Sequence, residues 1–270
     1  MKSLPFFLKY IPALIVLIIA FSYGTIWGIA LVALLVLVAA FSKRYVYYFF
    51  QGNRLYNSGD IERAFQYYEK SAKVPDSSAR SISVYGYLLL KNRNPDKAET
   101  ILNSLKLDKL SIADRNQAKL NLSLVYWKKN KLDKALELLE AVYKEFKCLT
   151  MYESYGYLLI LNGDYEKALE INQEAYAYDK SSQVVIDNLG ETYYHLNDYA
   201  KAYDLYKDLI VKEPSIPEPY YHYALVLKEK GETSQALEML KKALGFKESY
   251  LSEVSHEIIQ NAIDELKQHC

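Results

Sequence analysis

Residues 149–180 read LTMYESYGYLLILNGDYEKALEINQEAYAYDK, and residues 182–214 read SQVVIDNLGETYYHLNDYAKAYDLYKDLIVKEP. Both stretches follow one pattern. A run of apolar residues at helical spacing carries a glycine, Gly156 or Gly190, and a short turn rich in Asn, Gly and Asp comes next. A second helical run with an alanine near its start completes each copy. Two helices joined by a tight turn and repeated at a fixed period predict a protein built of stacked helical hairpins.

The same spacing continues on both sides of these two copies. An alanine recurs at intervals of 34, 37, 33, 34 and 34 residues, at Ala64, Ala98, Ala135, Ala168, Ala202 and Ala236. A small residue stands twelve positions before each alanine: Gly52, Gly86, Ser123, Gly156, Gly190 and Ala224. A larger residue stands nine positions before it: Leu55, Leu89, Tyr126, Leu159, Tyr193 and Leu227. Because a small residue lets two helices approach closely where they cross, the pattern predicts six helical hairpins.

The pattern resembles the tetratricopeptide repeat, a helix–turn–helix unit of about 34 residues. The small residue, the large residue three positions later, the alanine and Pro214 at the end of the fifth copy carry the resemblance. Copies two and three depart from it, with Arg93 and Asn130 where a turn glycine is usual and Lys119 in place of an aromatic residue. The resemblance implies an all-α fold, an α-solenoid of about six repeats.

We place the repeat array at residues 45–247. Its repeats are 45–76, 77–110, 111–147, 148–180, 181–214 and 215–247. Residues 248–270 are expected to add a capping helix over Ser249–Lys267, with Leu251 and Val254 among its apolar positions. The last unit of an open helical stack would otherwise leave its apolar face bare.

The N-terminal residues 1–44 predict a membrane anchor. From Tyr10 to Ser42 there is no charged residue, and one helix of that length would be ~50 Å long against a hydrocarbon core of ~30 Å. Two transmembrane helices, at about residues 4–21 and 26–41, fit better, with a break at Ser22–Thr25. The first helix of repeat one is expected to follow the second span without a linker.

The charges of this segment predict its orientation. Its only charged residues are Lys2, Lys9, Lys43 and Arg44, which a hairpin would bring to one side of the membrane. By the positive-inside rule that side is the cytoplasm, so the repeats are expected to face the cytoplasm. An alternative is a signal peptide cleaved near Ser22; the second segment would then cross alone, with the repeats again in the cytoplasm. The excess of Lys over Arg and the 27 Tyr residues favour an A+T-rich bacterial genome.

Composition and motifs exclude several functions. After residue 44 the chain holds 29 basic and 33 acidic residues, a balance that argues against nucleic-acid binding. The sequence has no phosphate-binding glycine loop, nucleophile motif or metal-ligand spacing, so we expect no catalysis, cofactor or metal. His195 and Glu191 are the nearest approach to an acid–base pair, and we interpret them as polar groove residues. Lys128 and Lys129 are interpreted as solvated helix surface.

In proteins with this repeat, the first helices line a concave groove that binds extended or helical peptides. Carrying that register over predicts a peptide groove. Its residues are Tyr87, Leu90, Leu120, Leu124, Trp127, Glu153, Tyr157, Ile160, Asp187, Glu191, Tyr194, His195, Tyr221 and Leu225. Aromatic side chains in such a surface favour a partner with apolar anchors. For any one of these residues, burial between repeats is an equally good interpretation.

Some repeats of this kind hold a C-terminal carboxylate with groove lysine and asparagine residues. Of the matching positions only Asn53 has the expected residue type, and Glu153, Asp187 and Glu191 would repel a carboxylate. We therefore predict a membrane-anchored scaffold or adaptor that binds another protein or peptide. The alternative is a structural membrane protein whose solenoid mediates homo-oligomerisation.

Overall fold

The computed structural model describes residues 11–75 and 77–268, and in this part of the chain the secondary structure is entirely helical. The helices are α1 (Ile11–Ser22), α2 (Thr25–Ser42), α3 (Arg44–Asn57), α4 (Ile61–Ala72), α5 (Ala79–Lys91), α6 (Pro95–Asn103), α7 (Ile112–Lys128), α8 (Leu132–Glu145), α9 (Leu149–Leu161), α10 (Tyr165–Tyr178), α11 (Gln183–His195), α12 (Tyr199–Ile210), α13 (Glu218–Glu229), α14 (Thr233–Leu244) and α15 (His256–Gln268). The chain divides into two compact units, residues 1–82 and 83–270.

The hairpins pack tightly because each glycine of the repeat pattern, in a first helix, meets a buried side chain sixteen positions later. A Cβ atom added to Gly190 would lie 2.6 Å from Cζ of Tyr206, and one added to Gly86 would lie 2.5 Å from Cγ of Leu102. The six partners at this spacing are all buried: Tyr68, Leu102, Leu139, Asn172, Tyr206 and Leu240. The six alanines of the repeat pattern have no exposed surface. The small residue and its partner therefore fix where the two helices cross.

The turns of the hairpins share one backbone conformation. The second residue after each first helix has a positive φ: Gly59, Arg93, Asn130, Gly163, Asn197 and Gly231. This left-handed residue ends a helix by satisfying its last carbonyl groups. Repeats two and three keep it although Arg93 (φ 61°) and Asn130 (φ 57°) replace glycine. The degenerate sequence of these repeats thus leaves their turn geometry unchanged.

In the unit of residues 83–270, the first helices lie on the inner side. α9 packs against α7 and α11, and α11 packs against α13, so these first helices are direct neighbours. The second helices, by contrast, pack mainly on the first helices before and after them in the chain. First helices that lie closer together than second helices give this unit a concave face, which we call the groove.

In the other unit, α1 and α2 form a hairpin around Gly24, whose φ is 142°. The two helices touch closely, since a Cβ atom on Gly28 would overlap the ring of Phe21. Only Lys43 separates α2 from α3. The predicted break between the two helices is therefore observed, and α3 follows α2 without a linker, as predicted. Residues 4–10 of the first predicted span lie outside the described residues.

Of the two predicted membrane spans, the described residues contain one candidate. Among them, only Thr25–Ser42 is by length and composition long and apolar enough to cross a membrane, with a mean hydropathy of 2.4 and 6% of the segment buried. The described part of α1 has 12 residues. Its apolar side chains are exposed, as are those of α2.

The C-terminal helix begins later than predicted. It starts at His256 rather than Ser249, because Ser249, Ser252 and Ser255 turn the chain with side-chain hydrogen bonds to nearby backbone N–H groups. Ile259, Ile263 and Leu266 of α15 are buried against repeats five and six, as a capping helix requires. Leu251, predicted to lie on that helix, instead packs against the core of repeats three to five.

The substitution Gly190→Ala tests how tightly the two helices of repeat five pack where they cross. In an exposed helix this change stabilises by about 1 kcal/mol, but here the new methyl group overlaps the buried ring of Tyr206. We expect a loss of about 1–3 kcal/mol in the free energy of unfolding, measured by chemical denaturation. The cost should shrink in a Tyr206→Leu background, where the ring is absent. A stabilised single variant would show that the crossing is not tight.

Candidate functional site

The predicted groove residues differ in how far they are accessible. Six are buried: Leu90, Leu120, Trp127, Ile160, Asp187 and Glu191. Seven are half-buried: Tyr87, Leu124, Glu153, Tyr157, Tyr194, Tyr221 and Leu225. His195 is exposed. The half-buried aromatic and aliphatic residues are the part of this surface that a partner could contact directly.

A segment of the chain itself crosses the groove. Residues 247–255, which we call the strap, connect α14 to α15 without helical structure. The base of the strap is closed by a hydrogen bond of 2.7 Å between Nε2 of His256 and the carbonyl oxygen of Phe246. The N–H of His256 also donates to the Glu248 carboxylate at 2.8 Å. A loop of this length whose ends are held together forms a compact surface loop.

The tip of the strap contacts the inner helices α7 and α9. Leu251 packs against the core of repeats three to five, and the backbone N–H of Glu253 donates to the hydroxyl oxygen of Tyr157 at 3.3 Å. Burial raises the pKa of Tyr157, with the negative charges of Glu191 and Glu253 adding to the effect. This hydroxyl therefore stays neutral and available for hydrogen bonding.

Lys128, at the end of α7, organises the strap contacts. Its Nζ lies 3.0 Å from Oε1 of Glu253, 4.2 Å from the ring centroid of Trp127 and 5.0 Å from that of Tyr250. The guanidinium of Arg93 lies 5.5 Å from the Tyr250 centroid. Since the Lys128 side chain is only 12% exposed, its interpretation as solvated surface was wrong. The sequence did not show it because its partners lie more than 120 residues away.

The neighbouring Lys129 also differs from a solvated lysine. Its Nζ lies 2.6 Å from Oδ1 of Asp96 and also pairs with Glu99, both on α6. Lys129 thus ties repeat three to repeat two on one side of α7, while Lys128 reaches into the groove on the other.

The middle of the groove holds a buried ionic triad. Asp187 and Glu191 lie one turn apart on α11, and His222 of α13 lies between them. Nδ1 of His222 is 3.0 Å from Oδ1 of Asp187, and Nε2 is 3.5 Å from Oε1 of Glu191. The backbone carbonyl of Asp187 accepts a hydrogen bond from the buried hydroxyl of Tyr206 at 3.0 Å. The residue that fills the crossing at Gly190 therefore also holds the triad.

The charges of the triad follow from its surroundings. Burial alone would lower the pKa of His222, but the facing carboxylates of Glu191 and Asp187 outweigh it and raise the pKa to about 10. Burial raises the pKa of Asp187 to about 6, although His222 opposes this shift. At neutral pH, a protonated imidazole thus bridges two carboxylates, and the triad carries one net negative charge.

The same three side chains could in principle hold a metal ion, because their ligand atoms lie within 4.8 Å of one another. The arrangement favours a protonated imidazole instead, since each ring nitrogen of His222 already faces a carboxylate oxygen. Buried like charges one turn apart are costly unless such a cation lies between them.

Sequence reasoning paired Glu191 with His195, but that pair is the weaker one. Nε2 of His195 is 3.8 Å from Oε1 of Glu191, and its ring stacks on Tyr165 with centroids 4.5 Å apart. His222, the main partner, comes from the next repeat. The repeat register gives only part of this signal: it places His222 on the neighbouring first helix, 35 positions after Asp187, where Asn188 and not Asp187 is its equivalent in repeat five.

Stacked helical hairpins with an inner face of first helices define the class of this unit as an α-solenoid. Three family models described as tetratricopeptide repeat match residues 120–183, 185–218 and 217–250. Residues 120–250 therefore consist of tetratricopeptide repeats. No curated protein matches the sequence.

Solved structures share the fold. A tetratricopeptide repeat protein from Parabacteroides merdae is 13% identical, with 83% of this chain and 84% of that chain covered and a TM-score of 0.66. A chain of the APC/C hetero-tetramer Cut9–Hcn1 is 17% identical, with 82% and 42% covered and a TM-score of 0.66. TTC0263 of Thermus thermophilus is 18% identical, with 71% and 100% covered and a TM-score of 0.56. At these identities the likeness shows the fold alone.

His222→Gln tests the ionic triad. Because the pKa of His222 is higher in the folded chain (about 10) than its ordinary value of 6.5, its stabilising contribution is complete below about pH 6.5 and is lost as pH rises towards 10. We expect the wild-type free energy of unfolding to fall between pH 7 and 9.5, by at most about 1.4 kcal/mol per pH unit. Denaturation at several pH values should show a much flatter dependence for His222→Gln.

The matched control for this experiment is His195→Gln, which removes an exposed histidine next to the same glutamate. It should keep the wild-type pH dependence. Equal slopes for the wild type and His222→Gln would mean that His222 is not protonated in the folded chain.

Proposed function

We propose that this chain is a membrane-anchored scaffold that binds a partner protein through the groove of its tetratricopeptide repeats. One observation carries the proposal: the groove already holds a non-helical segment, the strap, through a packed leucine, a backbone hydrogen bond and an ion pair. A surface that binds one non-helical segment in this way suits a similar segment of a partner protein. Rigid aromatic side chains such as Tyr194 and Tyr221 supply contact area at low cost in entropy.

The proposal includes no catalytic activity. In the triad, both ring nitrogens of His222 face carboxylate oxygens, so the imidazole bridges Asp187 and Glu191. Such an arrangement stabilises packing between repeats five and six, and we assign it a structural role.

The proposed anchor is the α1–α2 hairpin in a bacterial cell membrane, with the repeats in the cytoplasm. The outer surface of both helices is apolar and exposed, with residues such as Ile18 (61%) and Leu37 (66%) facing outwards. Exposed apolar surface of this extent marks a membrane or protein interface. Lys43 and Arg44 at the end of α2 favour the cytoplasm for the repeats.

The groove assignment predicts that Tyr194→Ala/Tyr221→Ala loses the partner. These side chains are half-buried, so truncation removes contact area while leaving the buried core in place. The measurement is crosslinking of the full-length chain in native membranes, followed by affinity capture and identification of the captured proteins. A partner captured by the wild type should be reduced at least tenfold with the variant.

Tyr178→Ala is the matched control, because Tyr178 is 56% exposed and lies on a second helix; it should capture the partner normally. Capture of this chain alone would favour homo-oligomerisation. A partner retained by the groove variant would contradict the assignment. It would point to another surface, such as the cleft of about 510 Å³ lined by Tyr176, Tyr193 and Leu205.

The hairpin predicts that the α1–α2 turn lies outside the cytoplasm. In a Cys148→Ser/Cys270→Ser background, Tyr23→Cys should react with a membrane-impermeant maleimide in intact spheroplasts, since Tyr23 is 80% exposed in that turn. Ser58→Cys, in the turn between α3 and α4, should react only after lysis. Labelling of Tyr23→Cys only after lysis would rule out a hairpin that crosses the membrane.

A further inference from the structure

We propose that the strap is a built-in competitor for the groove, and that the partner binds through a non-helical peptide of the same chemistry. That chemistry is an aromatic residue, an aliphatic residue next to it and a carboxylate three positions after the aromatic one, as in Tyr250, Leu251 and Glu253. This inference rests on the proposed function, because it names the kind of partner that the groove accepts and how access is controlled.

The charged residues of the groove determine where the carboxylate of such a peptide lies. Cationic groups meet the strap at one end of the groove, where Lys128 and Arg93 hold Glu253 and Tyr250. The triad, with its net negative charge, lies further along on α11 and α13. A carboxylate of a partner is therefore attracted to the Lys128 end and repelled from the middle of the groove.

The aromatic position is equally specific. The ring of Tyr250 lies within reach of two cations, with the Lys128 ammonium 5.0 Å and the Arg93 guanidinium 5.5 Å from its centroid. Trp127 and Tyr157 form the adjoining wall, with their rings edge to face at a centroid distance of 5.4 Å. A Tyr, Phe or Trp side chain thus gains cation–π contacts here that an aliphatic side chain cannot make.

The tip of the strap can leave the groove without unfolding the repeats. Its base is closed by the contact of His256 with Phe246, and α15 is held by buried side chains and by a 2.8 Å ion pair of Lys228 with Glu265. Val254 of the strap is buried in the core of repeats five and six and stays in place, whereas the tip, Tyr250–Glu253, is held less firmly, with Tyr250 and Leu251 only half-buried and Glu253 half exposed. The tip can retract while α15 stays docked.

A tethered segment competes through its effective concentration, which for a short flexible connection is about millimolar. A peptide in solution therefore meets a groove that is free for only a fraction of the time, and its apparent affinity is reduced by that fraction. Weakening the strap should raise the affinity for the same peptide in solution.

The test uses the full-length chain in detergent and a fluorescent peptide with the sequence of residues 247–255, KESYLSEVS. Fluorescence anisotropy should show that the Tyr250→Ala/Glu253→Gln variant binds this peptide about tenfold more tightly than the wild type. Adding Lys128→Met to that variant should abolish binding. A control peptide with the same two replacements, KESALSQVS, should bind neither protein.

Glu257→Gln is the matched control variant, because Glu257 is exposed on α15 outside the strap; it should behave as the wild type. Circular dichroism should show unchanged helix content for the strap variant, since its substitutions lie outside the helices. Equal peptide affinity for the wild type and the strap variant would overturn the proposal. So would a strap variant that folds but binds no peptide.

Failure of this inference is distinguishable from failure of the proposed function. The strap variant is also tested in the membrane crosslinking experiment with the groove variant Tyr194→Ala/Tyr221→Ala. A partner lost by the groove variant but unaffected by the strap variant would retain the groove and reject the strap as competitor. A partner retained by the groove variant would reject the proposed function, whatever the peptide does.

Discussion

The close approach of two helices at one small residue is the constraint on which each repeat depends. In repeat five, Gly190 leaves room for the ring of Tyr206, and the hydroxyl of Tyr206 then reaches the backbone carbonyl of Asp187. A bulkier residue at 190 would move the ring and thereby the carboxylate that faces His222. Packing within one hairpin is thus coupled to the electrostatics between hairpins. This coupling is how a stack of weakly stable units becomes one structure.

The sequence predicted those features that depend on local spacing. The alanine pattern, the small residues and the break between α1 and α2 follow from residue size and helical period, and the helices lie where these signals put them. The partner sixteen positions after each small residue was not predicted. Its side chain varies from Tyr to Leu to Asn, so no residue type marks it; only the geometry of the hairpin does.

The groove was less predictable, because its chemistry depends on contacts between distant residues. Lys128 pairs with Glu253 across 125 positions, and His222 reaches Asp187 across 35. Neither pair follows helical spacing. The start of α15 was also placed too early, since Leu251 and Val254 fit a helical pattern that the serines between 249 and 255 interrupt. Helical spacing of apolar residues thus predicts that they will be buried, but it does not show whether they lie in a helix or in a loop.

The strap also shows how the acidic residues of the groove restrict the partners that can bind there. Acidic groups at 187 and 191 argue against a partner that presents a carboxylate to the middle of the groove, and His222 neutralises only one of their two charges. The strap follows the same rule, because its Glu253 carboxylate pairs with Lys128 at one end of the groove, away from the triad. A partner that competes with the strap meets the same negative charge at the triad, so its own carboxylate must also lie near Lys128. Selectivity in this groove therefore comes from where charge is excluded as much as from where it is bound.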